Sequence, residues 1–156
     1  DMSRFQLIME ILAAICLITM LFHLIVEWNN LPQKVPSHFG MDGTPTTWKS
    51  KNSLLFLSMT GLIIYAGLTL LNRFPHFFNY PVNIDESNAI RQYRLAKSLL
   101  SFLKFSCVGT FLYIQFFSVQ TAFGSVVGLG LHFLFIVIVG FTITVVVYFM
   151  LAFREK

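Results

Sequence analysis

Charge is the first thing this sequence has little of. Of its 156 residues only 12% are Asp, Glu, Lys or Arg, about half of what a soluble domain of this length uses to cover its surface. That shortage excludes an ordinary water-soluble globule. Cysteine is also scarce. The two present, Cys16 and Cys107, lie in apolar runs, so neither a disulfide framework nor a thiolate metal site is indicated, and apolar packing is their expected role. A phosphate-cradling Gly loop, a dinucleotide fingerprint, a Ser-His-Asp nucleophile pattern and H-E-x-x-H are all missing, which argues against a soluble-type enzyme. The 11 Lys and Arg exceed the 7 Asp and Glu, but they are scattered and form no basic stripe. Nucleic acid is therefore excluded as the partner.

What the sequence has is apolar surface. Hydrophobic residues make up 56%, Phe alone contributes 18, and the mean hydropathy is +0.71, so lipid is the medium that fits. A hydrocarbon core about 30 Å thick takes about 20 helical residues. The first such stretch runs from Phe5 to Glu27, interrupted by Glu10, His23 and Glu27; the second, Ser53 to Leu71, has no titratable interruption of that kind. From Phe105 to Phe153 there is no Asp, Glu, Lys or Arg. As one helix that stretch would be about 70 Å long, too long for one bilayer, so it folds back. The small and polar passage Gln120 to Ser125 is the natural turn. The spans expected are thus about 5–27, 53–71, 98–119 and 126–153, in a single domain covering residues 1–156.

Lys and Arg in the short loops set the orientation. Arg4, Arg73, Arg91, Arg94, Lys97, Arg154 and Lys156 fall on one side, and Lys34, Lys49 and Lys51 on the other. Both termini are expected in the cytoplasm of a multi-pass cell-membrane protein, with the first apolar run an uncleaved span rather than a signal peptide. The outer loop, residues 28–52, holds Pro32, Pro36, Pro45, Gly40 and Gly43, which predicts a compact, turn-rich structure. In the cytoplasmic loop, residues 72–97, Pro75 and Pro81 keep the chain extended. Asp85 is the expected N-cap, with Glu86 in the first turn of a helix that projects beyond the lipid.

The passage Leu31-Pro32-Gln33-Lys34-Val35-Pro36-Ser37-His38-Phe39-Gly40-Met41-Asp42-Gly43-Thr44-Pro45, followed by Trp48 and Lys51, resembles the hallmark of a bacterial membrane domain of unknown function. The same domain forms the N-terminal part of the immunity protein that protects cells from the sporulation-delaying killing peptide. Phe78-Asn79-Tyr80-Pro81-Val82, Asn88-Ala89, Gln92-Tyr93 and Leu95-Ala96 resemble the cytoplasmic stretch of its small four-span members. The resemblance, with the dense outer loop, implies an accessory, immunity-like or sensing role through that loop, with a membrane-active peptide or protein as partner.

Ionisable residues inside spans are costly and need a reason. Glu10 and Lys104 lie at similar depth in the first and third spans, so they are expected to pair. Such a pair either neutralises two buried charges and fixes neighbouring helices, or serves a proton or ion relay in a small-solute carrier. At the outer end His23 and Glu27 share one face of the first helix, His132 enters the fourth span near the same surface, and the loop supplies His38 and Asp42. Imidazoles and carboxylates of this kind suit zinc or another divalent ion. That gives a second function class, a metal-dependent membrane enzyme or a metal or solute transporter component. The alternative for the same residues is local: solvated interface groups, a His38 that pins the Pro-rich turn, and an Asp42 that bonds its own backbone. Trp28 and Trp48 are expected as interfacial anchors, and Lys49 and Lys51 as snorkelling cations. Gly124 and Gly128 have the spacing of a close helix contact but lie in or beside a turn. The fold expected is all-α, an integral membrane four-helix bundle with a structured extracellular loop between helices 1 and 2. Its many Phe and few small residues leave surface for lipid or a second copy.

Overall fold

A computed structural model describes residues 2–155. Lys156, one of the cations used to orient the chain, lies outside the described residues. Four helices dominate: α1 (Arg4–Glu27), α2 (Asn52–Leu71), α3 (Ala89–Ala122) and α4 (Phe133–Arg154). Each is long and apolar enough to cross a membrane. At 1.5 Å per residue α3 is about 51 Å long, well beyond the hydrocarbon thickness of a bilayer.

The helix ends follow local chemistry. Ser3 and Gln6 form a capping box at the start of α1: Gln6 N–H donates to Ser3 Oγ (3.2 Å) and Ser3 N–H to Gln6 Oε1 (3.0 Å), which satisfies two otherwise orphaned donors. Asp85 does an N-cap's bonding, its carboxylate accepting from the backbone of Ser87 (2.8 Å) and Asn88 (3.1 Å). Asn88 Oδ1 accepts in return from Asp85 N–H at 3.0 Å. The residues between form a turn, and the regular helix starts only at Ala89.

Two expectations are corrected. The chain is not all-α, because the segment between α1 and α2 is an antiparallel hairpin of β1 (Lys34–Phe39) and β2 (Pro45–Ser50). Pro36 sits opposite Trp48 and the register slips on either side of His38. A two-stranded ribbon tolerates such a Pro because both strands are edges. The fourth helix begins at Phe133 rather than Val126, since residues 123–132 form an open connection with Gly124 and Gly130 at positive φ. His132 thus stands just ahead of α4 and not within it.

Helix α3 is the axis of the molecule, with α1 and α2 packed along it. The middle of this three-helix body is held by Leu17, Met20 and Val108, surrounded by Cys16, Tyr65, Phe111 and Leu112. Its hairpin end is closed by Leu24, Leu31, Val35, Leu54 and Val119, which join α1, β1, α2 and α3 in one cluster. Helix α4 packs on α3, and Ala152 is its one buried residue. Its ends are fastened by polar bonds. Leu129 N–H donates to Gly43 O (2.8 Å) and Tyr113 OH to Leu129 O (2.7 Å), with Tyr113 stacked on Phe133 at 4.9 Å. At the other end Gln92 Nε2 donates to the carbonyls of Ala152 and Glu155, each at 2.9 Å, beside the Arg91–Glu155 ion pair.

Candidate functional site: a buried polar junction and an outer hairpin

Lys104 is completely buried in the middle of α3. Its ammonium donates to Glu10 Oε2 from α1 and to Thr69 Oγ1 from α2 (2.8 Å), and lies 4.8 Å from the centre of the Tyr65 ring. Glu10 Oε1 accepts from Ser101 Oγ at 3.0 Å, and Ser101 in turn accepts from Asn72 Nδ2 at 3.0 Å. An ammonium has three donors, and here two carry hydrogen bonds while the aromatic face supports the charge. One charged pair and three neutral polar groups therefore tie three helices at one level.

A second polar knot lies further along α3. Gln115 accepts from Ser58 Oγ (2.5 Å) and donates through Nε2 to Met20 O (2.7 Å), again joining α2, α3 and α1. From Lys104 to Gln115 is about 16 Å of helix, and the Leu17–Met20–Val108 cluster fills that interval. An apolar layer separates the two knots. Ser58, Thr69, Asn72, Ser101 and Gln115 were not singled out in the sequence. The signal was present on α3: Ser101, Val108 and Gln115 recur every seven residues, as do Lys104, Phe111 and Ser118, which places them on one stripe.

The five outer candidates do not converge. His23 is half-buried beside Phe116, ring centres 5.3 Å apart, with Nδ1 buried and unbonded. Glu27 accepts from Asn30 Nδ2 at 3.3 Å. His38 is exposed on β1, its Nδ1 3.3 Å from Ser37 Oγ. Asp42 Oδ1 accepts from Thr44 N–H (3.0 Å) and Thr44 Oγ1 (2.7 Å) at the hairpin tip; those two bonds hold its carboxyl below the usual carboxylate range. His132 is exposed ahead of α4. Among the described residues no three His, Cys, Asp or Glu side chains come together as a metal site. Glu27, His38 and Asp42 instead bond to neighbours within three residues.

The hairpin is rigidly seated. Val35 is fully buried in the outer cluster. Lys51 N–H donates to Gln33 O at 3.0 Å, closing the base of the ribbon. The Lys51 ammonium donates to Trp28 O (3.0 Å) and lies 4.7 Å from the Trp28 ring centre. The tip faces the α3–α4 connection through Asp42, Gly43 and Thr44 and carries Met41, 84% exposed; Val127 and Leu131 of that connection are also exposed.

Residues 14–64 match a family described as domain of unknown function DUF1648. The match takes in most of α1, the whole hairpin and the first half of α2. An uncharacterised protein of Archaeoglobus fulgidus is 32% identical over 78 residues, covering 45% of this chain and 43% of that protein. This chain therefore spans less than half the length of the curated relative it matches. That relative is archaeal, so the likeness extends outside the bacterial members to which the sequence pointed. No solved structure matches the chain.

Proposed function

We propose that this chain is a non-enzymatic integral membrane protein that acts through its outer hairpin, binding a membrane-active peptide or protein partner at the exterior surface. In this reading the four helices span the membrane, both ends of the chain face the cytoplasm and residues 28–52 lie outside. The imbalance of Lys and Arg between the two ends of the helices supports that orientation. An immunity-like role against a killing peptide is the most concrete form of the proposal.

The observation that carries it is the construction of the hairpin. A ribbon pinned by a buried Val35, a closed base and a backbone bond at its tip still leaves Met41 and Trp48 exposed, and Val127 and Leu131 on the connection bonded to that tip are exposed as well. Ordered apolar side chains held out on a rigid support are what a recognition surface needs, because little entropy is lost on binding.

The test is expression of the full chain in cells sensitive to membrane-active peptides. Survival should rise, and Met41→Asp should abolish the gain at unchanged membrane levels. No protection against any peptide tested overturns the reading. An impermeant amine reagent should modify Lys34 and Lys49 in intact cells; modification only after lysis overturns the orientation.

A further inference from the structure

Between α3 and α4 runs an open apolar cleft. Its outer part, about 540 Å³, is lined by Phe105, Gly109, Phe133, Val137 and Gly140 among others. Its inner part, about 290 Å³, lies between Leu95, Leu99, Val147 and Leu151, with Phe5 of α1 as a third wall. The two parts share Phe102 and Thr144, so they form one groove from the hairpin end to the Arg-rich end.

Every helix bordering the inner part carries an arginine within about one turn of a lining residue, at the same end of the groove. Arg4 immediately precedes Phe5, Arg94 stands one turn before Ser98 and Arg154 one turn after Leu151. Arg91, one turn before Leu95, is neutralised by Glu155 at 3.4 Å. Arg4, Arg94 and Arg154 have no acidic partner among the described residues. An apolar slot with arginines gathered at one end is complementary to an amphiphile with an acyl chain and an anionic head.

We propose that the α3–α4 groove is a binding site for an anionic phospholipid, with one acyl chain running along Leu95, Leu99 and Phe102 to Gly140 and its phosphate at the end that carries Arg4, Arg94 and Arg154. The site shares with the proposed function only the membrane placement and does not depend on what the hairpin binds.

Native mass spectrometry of the full chain in detergent, with phosphatidylglycerol and phosphatidylcholine of identical chains, tests this. One phosphatidylglycerol should be retained in preference to phosphatidylcholine. Arg4→Gln and Arg94→Gln should each reduce that preference about fivefold, the scale of one basic residue at an anionic surface. Gly140→Leu should weaken retention of both lipids. It adds bulk where a β-carbon meets no atom within 4 Å, so the fold is not crowded by it. Equal retention of the two lipids, a preference untouched by the arginine variants, or a second copy of the chain in place of lipid would each overturn the proposal. Solubility without detergent would overturn the membrane placement as well.

Discussion

Gly43 and Gly128 meet backbone to backbone: a β-carbon on Gly128 would collide with the Gly43 carbonyl, and one on Gly43 would collide with Gly130. Gly43 also has φ +80°, a conformation L side chains rarely adopt. The tip of the hairpin and the chain leading into α4 approach closely because both surfaces lack side chains there.

Alanine at either position should therefore separate the two surfaces and break the Leu129–Gly43 hydrogen bond. Gly128→Ala is expected to destabilise the outer end by about 2 kcal/mol, and Gly43→Ala by more because strain adds to the clash. Thermal unfolding in detergent measures both. Gly67→Ala, at a position where a β-carbon meets nothing, should be close to neutral.

The Lys104–Glu10 pair makes an asymmetric prediction. Lys104→Met removes the ammonium and strands a partly buried carboxylate, with an expected loss of about 3 kcal/mol, the low end of the buried-pair range because Glu10 keeps some exposure. Pairing that change with Glu10→Gln should restore much of the loss, since a neutral amide can still accept from Ser101. Chemical denaturation of both variants in the same detergent checks the order. If the double variant is less stable than Lys104→Met alone, a stranded carboxylate is not what costs the single variant its stability.

Acid should loosen the hairpin tip. The Asp42 carboxyl is held below its ordinary value of 3.8 by the Thr44 amide and hydroxyl. A depressed folded-state pKa gives stability that is fully present above the unfolded value and lost as pH falls through the folded one. The turn should thus be unchanged from pH 8 to pH 5, begin to weaken only below about 3.8 and open as pH falls further through the folded value. Amide exchange at Thr44 reports it, and Asp42→Asn should remove the pH dependence.

Gln92 fixes the far end of α4 through two backbone carbonyls. Gln92→Leu should free residues 152–155 while leaving the three-helix body intact, at a cost of about 1–2 kcal/mol. Proteolysis within 152–155, combined with an unchanged unfolding midpoint for α1–α3, is the expected signature.

The apolar helices were legible because composition and length suffice for them. Phe5 to Glu27 and Ser53 to Leu71 nearly coincide with α1 and α2. The hairpin was not legible: Pro36 and Pro45 read as strand breakers, and Val35 and Pro36 are both buried, which destroys the alternation that marks a strand. Val126 to His132 looked like helix because it is apolar, whereas the close approach to Gly43 holds it open. Similar depth pointed to Glu10 and Lys104, which pair. The outer His and acidic residues shared a depth too, but three-dimensional convergence depends on the hairpin's path, which no spacing rule supplies.

The end-fastened attachment of α4 divides the molecule mechanically. Three helices and the hairpin form one stiff block, whereas the fourth is strung beside it like a bowstring, tied at Leu129 and Gln92 and lightly supported between. Bowing that string away from the block breaks little packing, so thermal breathing of the protein concentrates along this seam.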